Sequence, residues 1–236
     1  MPGLRQRQKI ARDRRILEGG AELFRADGYD GATMEAIAGH AGVSPATIYN
    51  YYKNKGDLLV AIVAMEVHEV LAAGERLVSN PPSDLRLAID GLARLYLEHS
   101  LTYLSKEMWR HAMAISLQQP GSPSGSAYSA LDEKLSDQVC RLLRRLQADG
   151  LVRRDVDVTA VAELLFNTID RMFVTFLKSE SMRLSAVKRR ISKQCHALLD
   201  EIGRAPKTLA KALPRVRAAK PVAKVRVPQR RSSLPN

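Results

Sequence analysis

The chain has 236 residues, 45% of them hydrophobic and 26% charged, with two cysteines and a formal charge of +12. That apolar content supports a packed core and excludes wholesale disorder, and the length suits one large domain or two ordinary ones. No stretch reaches the ~18–20 uncharged apolar residues of a membrane span, the basic N-terminus does not read as a signal peptide, and Cys140 and Cys195 have neither metal-site nor disulfide-framework spacing. A soluble, reduced, cytoplasmic protein with no metal and no membrane partner is expected.

The charge is uneven. Residues 1–15 hold six bases against one acid, residues 204–236 hold ten bases and no acid, and the stretch between them sums to −3. Two cationic ends on a slightly acidic globule suit a polyanionic partner, or else serve only as solubilising tails.

Apolar spacing is helical almost throughout, so an all-α fold is expected. Ile16, Leu17, Ala21, Leu23 and Phe24 mark a first helix that stops at Asp27-Gly28. Met34, Ile37, Ala38 and Ala41 follow i, i+3, i+4, i+7, and Gly42 supplies a positive-φ exit. Ser44-Pro45 reads as an N-cap and first-turn proline opening a short helix with Ile48 and Tyr52 inward. Asn54 caps a fourth helix (Leu59, Val63, Val67, Val70, Leu71) that ends at Asn80-Pro81-Pro82. Ser83 or Asp84 opens a fifth toward Tyr103, and a sixth carries Met108 to Leu117. Residues 118–127, QQPGSPSGSA, read as a mobile loop. Leu131, Leu135, Val139, Leu142 and Leu146 then form one seam closed by Gly150.

The last two helices are the most apolar. Leu165, Ile169, Phe173 and Phe176 lie on a broad face, and Val187, Ile191, Cys195 and Leu198 repeat in steps of three and four. These residues suit either a well-filled intrachain core or, preferably, a two-fold dimer interface built as a four-helix bundle. After Arg204 the composition turns to Ala, Lys, Arg, Pro and Val, with prolines at 206, 214, 221 and 228, and a disordered basic tail is expected.

Residues 33–55, TMEAIAGHAGVSPATIYNYYKNK, carry the function. Two short helices meet at a glycine turn, with Ala38 small where the second passes over the first and Val43, Ile48 and Tyr52 pinning it. Pro45, Ala46, Thr47, Asn50 and Tyr51 lie away from the Ile48 face and suit the edges of bases in a major groove. Thr33 as a cap with free amides, the Tyr49 hydroxyl, Lys53 and Lys55 suit phosphate. Lys55 is a mild misfit at the start of its own helix, which a facing phosphate would relieve.

These residues resemble the TetR-type (tetracycline-repressor-like) transcriptional regulators. The likeness rests on Phe24 to Tyr29, aromatic-x-x-x-G-Y, and on T-x-x-x-I-A-x-x-A-G-V-S-x-x-x-I-Y-x-Y-aromatic-x-x-K-x-x-L from Thr33 to Leu58. It spans about residues 10–75. The resemblance implies phosphate contacts at Thr33, Tyr49, Tyr51 and Lys55, with Ser44 near the backbone, and base contacts at Pro45, Ala46, Thr47 and Asn50. Gly19, Gly20, Gly39 and Gly56 depart from the usual helix formers, at roughly 1 kcal/mol per glycine inside a helix, and a looser reading head is expected.

The implied architecture is an N-terminal three-helix helix-turn-helix DNA-binding domain with its basic arm (1–55), a larger helical bundle for ligand binding and dimerisation (56–203) and the basic tail (204–236). The implied function is that of a ligand-responsive repressor, a homodimer on a palindromic operator in double-stranded DNA; the effector is an unidentified small molecule. The arm (Arg5 to Arg15) would be ordered by DNA. Tyr96, Tyr103, Met108, Trp109, Met113 and Phe166 are candidates to line the effector pocket, or ordinary core. A sequence-tolerant architectural DNA binder dominated by the tail is the alternative. No nucleophile elbow, phosphate loop, metal-ligand cluster, cofactor motif or paired carboxylates on a cleft wall are found, so no enzyme is expected.

Overall fold

The computed structural model describes residues 3–203, and among them the regular elements are nine helices with no strand, apart from an isolated bridge between Val152 and Gly203. None of the described helices is long and apolar enough to cross a membrane. The tail expected over 204–236 lies outside the described residues.

α1 (Leu4–Gly31) is helical from its fourth residue, so the expected arm is the first third of a helix with Arg5, Arg7, Lys9 and Arg12 exposed along it. The stop expected at Asp27-Gly28 is real: Gly28 (φ 75°, ψ 170°) interrupts the helix, and Tyr29–Gly31 form a separate stub. Gly19 and Gly20 are not a source of looseness. A Cβ at Gly19 would stand 3.2 Å from the His40 ring, and one at Gly20 3.2 Å from Leu58 and Ile62. Both glycines let α1 approach its neighbours closely.

α2 (Met34–His40) and α3 (Pro45–Tyr51) are capped as expected, Thr33 Oγ1 accepting from Ala36 N (3.1 Å) and Ser44 Oγ from Thr47 N (3.2 Å). Between them Gly42 (φ 65°) donates to Gly39 O (3.1 Å), and Val43 N to Ala38 O (2.9 Å). That pair of bonds closes the helix end and turns the chain sharply.

α4 (Lys55–Ser79), capped by Asn54, begins against α1 with Leu58 and Ile62 and continues into the bundle with Val63, Val67 and Val70. One apolar core therefore runs across the boundary expected at residue 55. α5 (Leu85–His99), α6 (Lys106–Gln118), α7 (Pro123–Ala148), α8 (Val158–Leu177) and α9 (Leu184–Ile202) complete the bundle. α4 packs on α7, α7 on α8, and α9 lies across α5 and α8.

One expectation fails in the bundle. Only residues 119–122 connect α6 to α7, because the PSGSA segment read as loop is the first turn and a half of α7. Ser122 caps it through Gly125 N (3.0 Å), Pro123 fits the first turn, and a Cβ at Gly125 would lie 2.1 Å from Gln119 O. Six of the eight residues expected at the dimer face are likewise taken up inside the single chain. Leu165, Ile169, Phe176, Val187, Ile191 and Cys195 are each at most 4% exposed within the single chain, so they fill its own core, while Phe173 and Leu198 are half-buried. Leu164, 55% exposed, is the large apolar residue of α8 that points outward.

Candidate nucleic-acid interface and interior cavity

Burial divides α3 into two faces. Ile48 is fully buried, whereas Ser44, Pro45, Ala46 and Asn50 are exposed and Thr47 is half-buried, its Oγ1 2.8 Å from Ser44 Oγ. Thr33 and Lys53 are also exposed, and Lys53 has no side-chain partner among the described residues. Tyr49 is 45% exposed and donates to Glu35 Oε1 (3.0 Å).

The two tyrosines that follow tie α3 to the basic helix. Tyr51 is half-buried with its hydroxyl 3.5 Å from Lys9 O. Tyr52 donates to Asp13 Oδ1 (2.6 Å), and its burial, reinforced by that carboxylate, raises the phenol above its ordinary range. Asp13 is the one acid among the first fifteen residues, so this bond engages the arm's own carboxylate and leaves Arg5, Arg7, Lys9 and Arg12 facing solvent beside α3.

Lys55 is differently placed from the expectation. Its ammonium donates to Tyr29 O (2.8 Å) and Asp30 O (3.2 Å) and sits 4.9 Å from the Tyr29 ring centroid. The carbonyls of the stub after Gly28 thus answer the unfavourable charge at the start of α4.

A cavity of about 70 Å³ opens among α4, α5, α6, α7 and α8. Tyr96, Trp109 and Phe166 line it as anticipated, with Phe173; Tyr103, Met108 and Met113 do not. Met108 is buried in the core elsewhere, Met113 is half-buried, and Tyr103 turns toward Arg14 and Glu69. Cys195 lies outside these walls, and burial pushes its thiol up to about 11.

Three carboxylates line the cavity that sequence reasoning missed: Glu66, Asp132 and Asp170. The expectation of no paired carboxylates on a cleft wall is therefore overturned. Glu66 is 1% exposed, and burial pushes its carboxyl up to about 8. Burial, with the Asp170 charge added to it, pushes Asp132 up to about 7, and burial raises Asp170 as well. The available signal is an acid in an apolar register: Glu66 falls between Val63 and Val70 on one stripe, and Asp170 between Phe166 and Phe173.

From this cavity a polar chain leads to α1. Glu66 Oε1 lies 3.7 Å from His99 Nδ1, and His99 Nε2 lies 3.7 Å from Glu69 Oε2. Glu69 Oε1 pairs with Arg14 (2.6 Å), and Tyr103 donates to Glu69 Oε2 (3.0 Å).

Residues 16–62 match the family described as bacterial regulatory proteins, tetR family. The HTH-type transcriptional regulator UidR of Escherichia coli (strain K12) is 24% identical over 158 residues, covering 65% of this chain and 75% of that one. The fold is similar to that of the transcriptional regulator FadR from Bacillus subtilis, solved in complex with stearoyl-CoA (TM-score 0.59, 18% identity, 77% of this chain and 96% of that one). It is also similar to a transcriptional regulator from Saccharomonospora viridis solved in complex with choline (TM-score 0.62, 20% identity, 82% and 98%). The helix-turn-helix closed around Gly42 lies inside residues 16–62, the stretch of this chain that matches the tetR family of bacterial regulatory proteins.

Proposed function

We propose that the protein is a homodimeric, ligand-responsive repressor that binds a palindromic operator through α3. The observation that carries this reading is the division of α3: Ile48 is fully buried, while Ser44, Pro45, Ala46 and Asn50 are left to solvent on the opposite face. Pro45, Ala46, Thr47 and Asn50 meet base edges, and Thr33, Ser44, Tyr49, Tyr51 and Lys53 hold the flanking phosphates together with the cations of α1. Lys55 acts at one remove, by fixing the stub that leads to Thr33. Residues 1–55 form the reading head and 56–203 the effector and dimerisation region, with α4 shared between them. Relatives of this fold were solved with stearoyl-CoA and with choline, which supports an effector in the bundle and leaves its chemistry to the residues of this chain.

Footprinting on the promoter DNA flanking the gene tests the reading. A discrete two-fold footprint is expected, with Asn50→Ala losing roughly 1–3 kcal/mol of discrimination at one position per half-site. Lys53→Ala should lower the salt slope by about 0.9 for each phosphate it no longer neutralises, so by about 1.8 for a dimer, with little change in sequence preference. Uniform coating of random DNA, or a monomer by native mass in the presence of operator, overturns it.

A further inference from the structure

We infer that the interior cavity takes a small organic cation, an alkylammonium whose charge is met by Glu66, Asp132 and Asp170 and whose alkyl groups lie against Trp109, Phe166 and Phe173. This rests on the effector reading above and names its ligand class.

Charge comes first. Among the described residues, three acids line the walls and no lysine or arginine does. Within the same set, neither Asp132 nor Asp170 has a side-chain hydrogen bond or ion pair, and the rest of the lining is aromatic and aliphatic apart from Glu66, His99 and Ser100. An anionic ligand in this cavity would add its charge to theirs, and a neutral hydrocarbon would leave them unanswered.

A second observation points to a missing partner. Glu66 Oε1 is buried and accepts no hydrogen bond, although Glu66 Oε2 is met by Tyr103 N (3.3 Å); His99 Nδ1 beside it is equally unpaired. Buried polar atoms normally find partners, and here the orphaned carboxylate oxygen belongs to a residue of the cavity wall. Burial is the main cause that raises the proton affinities of Glu66 and Asp132, and a cation entering the cavity would draw both acids to ionise toward it.

The remaining walls suit an alkylated cation more than a metal. Trp109 and Phe173 meet edge to face with centroids 5.1 Å apart, and aromatic faces attract ammonium groups whose water has been removed. No group of three or more His, Cys, Asp or Glu among the described residues is placed to hold a metal ion. The space as it stands, about 70 Å³, is roughly half of the ~150 Å³ that holds benzene, so the ligand is small and the walls must yield a little to seat four methyl groups.

Trp109 is the chain's single tryptophan, so its fluorescence reports on this cavity. The full-length protein is titrated with tetramethylammonium, with tert-butanol as a neutral molecule of similar size, and with stearoyl-CoA. The cation should bind at least tenfold more tightly than the alcohol. Asp132→Asn and Asp170→Asn should each weaken the cation at least tenfold and leave the alcohol unchanged; both keep side-chain size and remove a buried charge. Equal affinity for cation and alcohol, or no response to the cation, overturns the inference. Binding of stearoyl-CoA with release of operator and no cation response overturns the ligand class alone, whereas absence of a discrete operator footprint defeats the regulator reading whatever the cavity binds.

Discussion

Glu66→Gln should make this protein more stable, and by an amount that grows with pH. The native carboxyl stands at about 8 against an ordinary 4.5, chiefly because it is buried. The Glu69 charge raises it further, while Tyr103 N and Arg25 lower it, and His99 faces it across 3.7 Å. Below the unfolded value the side chain is neutral in both states and resembles glutamine. As pH rises from about 4.5 to about 8 the unfolded chain ionises and the native one does not, so stability falls; above about 8 the loss is complete. At 1.36 kcal/mol per tenfold change in proton affinity, the full loss is about 5 kcal/mol, comparable to the whole stability of a marginal domain. Urea unfolding of both proteins from about pH 4 to about pH 9 should give curves that coincide at the acid end and diverge by several kcal/mol at the alkaline end. Parallel curves, separated by a constant amount at all pH, would refute the argument.

Lys55→Met should cost about 2 kcal/mol of stability by urea unfolding, since it removes charged hydrogen bonds to Tyr29 O and Asp30 O, whereas Lys53→Met should leave stability unchanged. Gly74→Ala places a Cβ 2.4 Å from Gln138 Oε1 and displaces an amide that accepts from Tyr96 and donates to Leu71 O and Glu75. A loss of about 2–4 kcal/mol is expected, and in a double-mutant cycle Gln138→Ala should absorb part of it; strict additivity would show that the clash is relieved elsewhere. Glu69→Gln should leave operator affinity in the absence of effector within a few-fold while reducing the effect of the bound ligand on that affinity about tenfold, as read by fluorescence anisotropy of labelled operator. An undiminished ligand effect would remove the Glu69–Arg14 pair from the coupling.

Much of the fold is legible in the sequence because its ends are marked by local chemistry. Thr33, Ser44, Asn54 and Asp84 each cap the helix they are expected to open, and Gly28 and Gly42 take the positive φ that ends a helix. The start of α7 reads as loop because serine, proline and glycine serve equally at a helix N-terminus and in a loop; the Gly125–Gln119 approach that decides between them is a tertiary contact. The same limit applies to α8 and α9. Periodicity tells that Leu165, Ile169 and Ile191 face something apolar, but not whether that surface belongs to the same chain. At the site, the exposed face of α3 is readable from spacing, whereas an acid set in an apolar stripe does not say which cavity it faces. Asp132 next to Leu131 and Asp170 next to Ile169 become a pair only once α7 lies on α8.

The break in α1 ties the bundle to the helix-turn-helix. Tyr29, just past Gly28, stacks on His111 of α6 with centroids 4.4 Å apart and lies under the Lys55 ammonium at the root of α4. Four residues later the chain reaches Thr33, whose hydroxyl seats the first turn of α2. A roll of α6, whose Trp109 walls the cavity, would therefore push on the stub like a cam and arrive at the helix-turn-helix through a lever only a few residues long.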